Sequence, residues 1–502
     1  MFVHDLVLQG KPDSVAFHGK DPVTYTAFCE QIRKYRNYFY MSGIRQGENV
    51  GLFSRNSAEF VYCYMAIVSL GAVVVPINFQ LTAREVAYIV RDAKMKRLVT
   101  MEPLSLESEL IQQEYVQKVK QLVIPEIKET LVQTALSDAP ALPSDFDENQ
   151  PCAVIYTSGT TGTPKGAVLT HKNLVSDAEA FQNMLPVHSG DNVLCVLPMY
   201  HCFAWTCAIL NSLLAGAAIT ILEAFAPKET IVAIKEFGVT VVYGVPPMYN
   251  FLTRVGERED LASVRYFISG GASLPEKVAQ QFDTKYGKKI VEGYGLSEAS
   301  PVVTLNPIQK PKYCSIGKAL PGVAVKVVDP DGNDVAPGRV GEIVVRGSNV
   351  MRGYFNLPEE SAKVLKNGWL HTGDLAYEDE EGYFFIVDRL KDLIIANGEN
   401  IYPREIEELL YAYPGIIEAS VIGVPDELRG QVARAYIVMS EGKNFNKKAI
   451  REYLQNNIAA YKIPRDFIVI DTLPKNQTGK ILKRILREQA SQNDKLVVNA
   501  CS

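Results

Sequence analysis

Up to about residue 310 the apolar positions alternate between helix-like and strand-like runs, the order expected of an α/β domain. Glu59 to Leu70 is mostly apolar and predicts a buried helix, with Gly71 as its C-cap. Val73, Val74 and Val75 form a β-branched run that Pro76 closes, which reads as a buried strand and its exit. Thr82-Ala83-Arg84-Glu85 has capping-box spacing ahead of a further helix.

From Lys318 the pattern changes to short β-type runs, Ala324 to Val328, Gly341 to Arg346 and Tyr383 to Val387. Turns such as Asp329-Pro330-Asp331-Gly332 separate them, and together they predict a small β-rich subdomain. After Asp388 the pattern is that of a compact α+β module. Pro403 suits the first turn of a helix whose Ile406, Leu409 and Leu410 share a face, and Val432 to Val438 reads as a strand. The expected division is 1–387, with the β-rich subdomain from about 318, and a mobile 388–502, with the boundary near Asp388 to Asp392.

A chain of 502 residues exceeds what one hydrophobic core organises, so more than one domain agrees with the pattern. With 47% hydrophobic and 22% charged residues it has a globular composition, and a net charge of -5 supplies no field to gather nucleic acid or anionic lipid. Asp5, Lys11, Asp13 and Lys20 interrupt the first residues, so no secretory signal is read there and the expected location is cytoplasmic. Val193 to Leu222 carries no charge and is long enough to span a bilayer. Pro198, His201, Asn211 and Gly216 break it, and a buried strand, loop, helix and strand accounts for those breaks better than a membrane helix. The 8 cysteines form no CxxC pair and are read as buried thiols, and the 6 histidines show no metal-ligand spacing.

The chemistry begins at Tyr156-Thr157-Ser158-Gly159-Thr160-Thr161-Gly162-Thr163-Pro164-Lys165-Gly166, set between two apolar runs. Glycines, small hydroxyls and a lysine in one loop are what cradling a polyphosphate requires, although a surface Gly/Thr hairpin shares that composition. Pro164 stands where a Walker A loop needs its second glycine, which argues against phosphoryl-transfer chemistry. The segment resembles the signature loop of the ANL superfamily of adenylate-forming enzymes. Further matches follow in the superfamily's order over about residues 20 to 485. They look most like bacterial medium- and long-chain fatty acyl-CoA synthetases.

The resemblance implies MgATP-dependent conversion of a carboxylic acid to acyl-AMP, then transfer of the acyl group to coenzyme A. Thr157, Ser158, Gly159, Thr160, Thr161, Gly162 and Lys165 would hold phosphates. The turn Gly270 to Pro275 resembles the strand-end turn beside adenine, which assigns Gly271, Ala272 and Ser273 to the nucleotide. Gly293, Tyr294, Gly295, Leu296, Ser297 and Glu298 resemble the motif in which the aromatic ring packs on adenine, the hydroxyl reaches the α-phosphate and the acid holds Mg²⁺. Asp374, in Thr372-Gly373-Asp374, would accept from the ribose hydroxyls, with Arg389 touching ribose or phosphate. Read without the neighbouring motifs, Glu298 is a solvated loop acid and Asp374 a turn residue.

Lys391 occupies the hinge position, and Gly398 would wall the pantetheine tunnel once the C-terminal domain swings. Lys480 ends a loop resembling the superfamily's C-terminal lysine loop, where the lysine is the adenylation catalyst. A carboxylate is already a nucleophile, so the need is for a cation that draws two anions together. His201 would lie beside the acid's carboxylate, while a structural histidine is the alternative reading. Phe203, Trp205, Cys207, Tyr243, Gly270, Gly295 and Val302 match acyl-pocket walls. No acid stands at Tyr243 to hold an α-ammonium group and no cation lines the wall, which leaves a hydrophobic monocarboxylate, a fatty acid foremost, with aryl acids open.

The expected partners are therefore the acid, ATP and CoA, with Mg²⁺, without nucleic acid or integral membrane association. Homodimers occur among relatives, and the sequence leaves the assembly open. Two alternatives are a stand-alone adenylating enzyme that loads a carrier protein and a nucleotide-binding protein without catalysis.

Overall fold

The computed structural model of the chain describes residues 1–105, 118–134, 136–157, 164–475 and 480–500. It is a mixed α/β molecule whose described residues are organised on four sheets. A seven-stranded sheet runs in the order Gly353–Tyr354, Lys165–Thr170, Pro151–Thr157, Val73–Ile77, Asn49–Phe53, Arg97–Thr100 and Lys120–Val123. A nine-stranded sheet has Val302–Leu305, Ile290–Gly295, Tyr266–Ser269, Val241–Gly244, Asn192–Cys195 and Ala218–Ile221 as neighbours in that order. Both contain parallel pairs; the nine-stranded sheet has antiparallel pairing at both edges, and the seven-stranded sheet only at the edge formed by Gly353–Tyr354 and Lys165–Thr170. One apolar cluster includes side chains from both sheets and from the helix Ala58–Ser69.

Local signals account for many of these elements. Ser57 caps the helix Ala58–Ser69 by accepting from Phe60 N at 3.1 Å, and Gly71 follows it at φ +70°. Thr82 and Glu85 form the reciprocal capping box of Ala83–Asp92. The strand Val73–Ile77 differs from expectation, because it continues through Pro76 instead of ending there. Pro76 pairs with Leu52 on one side, whereas the register with Pro151–Thr157 is confined to Val74 and Ala153, so the proline stands where the strand has a register partner on one side only.

The uncharged stretch from Val193 folds as strand, turn, helical segment and strand, with Asn192–Cys195 and Ala218–Ile221 paired in parallel. Among the described residues no helix is long and apolar enough to cross a membrane.

The β-rich segment forms a five-stranded sheet of Ala324–Val328, Gly341–Arg346, Trp369–Glu378 and Leu365–Lys366, with Phe384–Arg389 paired to Trp369–Glu378. A last sheet joins Ile394–Ala396, Glu399–Ile401, Gly430–Met439, Ile416–Asp426 and Asp466–Val469. Two apolar clusters draw their buried residues from 394–490 alone. The helix Pro403–Ala412 joins this part to the rest. Arg404 N donates to Asp388 Oδ2 at 2.9 Å, Arg404 Nη1 to Ile386 O at 2.7 Å, and Lys277 Nζ to Tyr411 O at 3.2 Å.

Candidate active site

Strands Pro151–Thr157 and Lys165–Thr170 form a hairpin in which Thr157 lies opposite Lys165. They bring the two ends of the Gly/Thr loop together; Ser158, Gly159, Thr160, Thr161 and Gly162 lie outside the described residues. Lys165 Nζ is 2.5 Å from Glu360 Oε2, and the paired lysines Lys165 and Lys363 hold the Glu360 carboxyl down at about 2. No sequence pattern marks Glu360 as a partner of the loop.

The turn after Ile290–Gly295 is tight. A Cβ on Gly295 would stand 2.0 Å from Pro301 O, and Leu296 N donates to that same carbonyl at 2.9 Å. Leu296, Ser297 and Glu298 are thereby carried on a short turn that opens toward the loop hairpin. Ser297 Oγ lies 3.3 Å from Cys202 Sγ, and Glu298 Oε1 accepts from Tyr354 OH at 2.8 Å. Tyr354 is the register partner of Ala167 on the loop's exit strand, so the acid and the loop share a neighbour.

Asp374 and Arg389 are register partners on adjacent strands. Arg389 Nε stands 2.9 Å from Asp374 Oδ1 and Tyr294 OH donates to Asp374 Oδ2 at 2.6 Å. Asp374 is 4% exposed, and a buried carboxylate is tolerated when both oxygens are matched in this way. The adjacent turn 270–274 is tied to the same strand, since Leu274 N donates to Glu292 Oε1 at 3.0 Å. Gly271 there has φ +76°. Ala272 and Ser273 complete that turn.

His201 N is bonded to Pro198 O, and its Nδ1 accepts from Phe203 N at 3.2 Å, which leaves Nε2 to carry the ring proton. Burial, with the nearby charge of Lys480, lowers the His201 imidazole to about 4. Lys480 therefore reaches the same space from the C-terminal part. Crowding by the cleft, with Arg389 and Lys391 set against Asp374 and Asp392, brings its amine down to about 8. Its side chain is open to solvent by surface area.

Behind His201, Phe203 meets Tyr243 edge to face at 6.2 Å between centroids, and a Cβ on Gly270 would come within 3.1 Å of the Phe203 ring. Cys207, Tyr243 and Val302 are buried, while Trp205 stacks on Tyr64 at 3.8 Å. Asp177, which periodicity did not single out, accepts from Val302 N at 3.1 Å; burial pushes its carboxyl well above the usual range.

Lys391 lies in the turn Leu390–Asp392, between Arg389 and Asp392, and Arg487 Nη2 is 2.5 Å from Asp392 Oδ1. Gly398 is not gathered with these groups. It sits at φ +83° in the turn before Glu399–Ile401, and a Cβ there would meet nothing within 4 Å.

The site residues also bear on a metal. Among the described residues no cluster of three or more His, Cys, Asp or Glu could hold one. Glu298 offers a hard oxygen beside the loop, with no hydrogen bond to its second oxygen among the described residues. That donor set suits an ion taking one carboxylate and completing its shell with phosphate oxygens and water, as Mg²⁺ does.

Residues 5–355 match the family model described as AMP-binding enzyme, and residues 405–480 match AMP-binding enzyme C-terminal domain. A long-chain-fatty-acid–CoA ligase of Bacillus subtilis (strain 168) is 35% identical, the alignment covering 96% of this chain and 92% of that protein. A feruloyl-CoA synthase of an Amycolatopsis species is also 35% identical, over 94% and 95%. The crystal structure of ATP-bound MatB from Rhodopseudomonas palustris superposes with a TM-score of 0.90 at 30% identity, covering 97% of this chain and 99% of that one.

Proposed function

The chain belongs to the AMP-binding enzyme family, the AMP-forming CoA ligases of the ANL superfamily, and on that premise we propose that the acid it activates is a hydrophobic monocarboxylate, a fatty acid foremost. ATP, Mg²⁺ and CoA are the co-substrates and cofactor of this family. The observation that carries the choice of acid is the pocket wall, where Phe203, Tyr243, Cys207, Val302 and Gly270 present aromatic, small or apolar surface. No lysine or arginine stands among these residues, and burial pushes the carboxyl of Asp177, which accepts from Val302 N, well above the usual carboxylate range. A second anionic group on the substrate would therefore be desolvated without a partner.

In the first half-reaction a carboxylate oxygen bonds to the α-phosphorus of ATP and pyrophosphate leaves. We assign Lys480 to bridge the carboxylate and the α-phosphate oxygens, Ser297 to the same phosphate, and Thr157 and Lys165 to the phosphates at the loop ends. Asp374 receives the ribose hydroxyls, held in place by Tyr294 and Arg389. His201 is neutral and directs Nε2–H at the acid's carboxylate, which positions the carboxylate without neutralising it. When bound at Glu298, Mg²⁺ would neutralise phosphate charge.

In the second half-reaction the CoA thiol, losing its proton, takes the acyl carbon and AMP leaves. We place the domain division near Asp388 to Asp392, with Lys391 as hinge, so that rotation withdraws Lys480 and brings Gly398 to the cleft.

Acid-dependent pyrophosphate exchange with medium- and long-chain fatty acids, hydroxycinnamates, benzoates, malonate and amino acids tests the reading. Fatty acids should give the fastest exchange. Exchange supported by malonate or amino acids alone would sink the assignment of the acid.

A further inference from the structure

The segment from Met351 to Glu360 touches the proposed metal acid and the loop end at once, and no step above uses it. Its backbone is tied to the loop's exit strand, with Arg352 N donating to Val168 O at 2.9 Å and Phe355 N to Gly166 O at 2.7 Å. Met351 N donates to Glu298 O at 2.8 Å, and Tyr354 OH donates to Glu298 Oε1 at 2.8 Å. The acid is thus gripped by its main chain and by its side chain from one short stretch. Tyr354 is itself fixed, because its N–H donates to Ser361 Oγ at 2.8 Å and that hydroxyl donates to Leu357 O at 2.8 Å.

We propose that Tyr354 is a positioning residue for the metal: its hydroxyl sets the rotation of the Glu298 carboxylate and turns the second oxygen toward Mg²⁺ before MgATP arrives. The proposal rests on Glu298 being the metal ligand. Mg²⁺ demands near-octahedral geometry at about 2.0–2.1 Å, so a carboxylate free to rotate must be ordered at the moment of binding. A phenol suits this task because it donates one hydrogen bond and brings no charge. A lysine or arginine in its place would neutralise Glu298 and compete with the cation.

The neighbouring cation is kept away from that role. Lys165 Nζ lies 5.5 Å from the Tyr354 ring centroid but is bound at 2.5 Å by Glu360.

Tyr354→Phe removes the hydroxyl and keeps the ring. Calorimetric titration of the full-length protein with ATP at graded Mg²⁺ should show the Mg²⁺ needed for half-maximal binding rising roughly tenfold, the scale of a hydrogen bond to a charged group. ATP affinity without metal, and the rate of CoA thiolysis of supplied acyl-AMP, should stay at wild-type values. In the Tyr354→Phe/Glu298→Gln double variant the Mg²⁺ requirement should match that of Glu298→Gln alone, a comparison that holds even if the phenylalanine lowers thermal stability.

An unchanged Mg²⁺ requirement in Tyr354→Phe, or losses that add in the double variant, would overturn the role given to Tyr354. If wild-type ATP binding ignores Mg²⁺, or Glu298→Gln leaves it unchanged, the assignment of Glu298 falls and the proposal falls with it.

Discussion

Arg389 Nε stands 2.9 Å from Asp374 Oδ1, so the residue two positions before the proposed hinge lysine is paired with the proposed ribose acid. The start of the part proposed to move and the proposed nucleotide site therefore share one ion pair. Asp374→Asn would leave Tyr294 and Arg389 facing a neutral amide. The KM for ATP should rise roughly ten- to hundredfold, the range of a charge-assisted hydrogen bond. Thiolysis of supplied acyl-AMP should suffer too, since the ribose is bound in both half-reactions. Steady-state kinetics of each half-reaction checks this.

Lys480 should separate the two. Lys480→Ala is expected to abolish acid-dependent pyrophosphate exchange and leave thiolysis of supplied acyl-AMP largely intact. Equal loss of both would refute the division of labour.

The same lysine sets a pH limit. Its amine is lowered to about 8 by crowding and by Arg389, so the cation is present below that value and is lost as pH rises through it. The exchange rate should therefore carry a descending limb near pH 8. In Lys480→Arg, whose guanidinium stays charged, that limb should vanish at a lower absolute rate. A pH–rate profile of exchange decides it.

Gly295→Ala should fail structurally, because the new Cβ would be driven to 2.0 Å from a backbone carbonyl that cannot rotate away. Thermal or chemical denaturation should show a loss above about 2 kcal/mol.

Glu292 is 4% exposed, and burial raises its carboxyl to about 7 against an ordinary 4.5. The native state then keeps a proton that the unfolded chain has already released. Its contribution to stability falls as pH rises from 4.5 and reaches its full cost above about 7, on the order of 3 kcal/mol. Glu292→Gln keeps the acceptor for Leu274 N and removes the charge, so it should raise the melting temperature more at pH 8 than at pH 5. An equal shift at both values would contradict this.

The residues legible in the sequence were those whose neighbours in the chain are also their neighbours in the site. The Gly/Thr loop, Tyr294 to Glu298, and Arg389 to Asp392 are each contiguous in the sequence, and the roles proposed for them, gripping phosphates, making a tight turn and forming a hinge, would each need consecutive backbone. Helix Ala58–Ser69 and the Thr82 capping box were legible for the same reason, their signals being spread over a turn or two.

Tyr354, Glu360, Glu292 and Asp177 left no such trace. Tyr354 meets Glu298 across 56 positions and Glu360 meets Lys165 across 195, and alone each reads as an ordinary half-exposed or core residue. Pro76 likewise read as a strand end, because whether a missing N–H matters depends on which side of the strand has a partner. Local order settled the elements and the reaction class, since those follow from short-range sterics and from motifs that act as units. Which side chain bonds Glu298, and which charges surround Lys480, were decided by packing, because such contacts exist only when distant segments are brought within hydrogen-bond range.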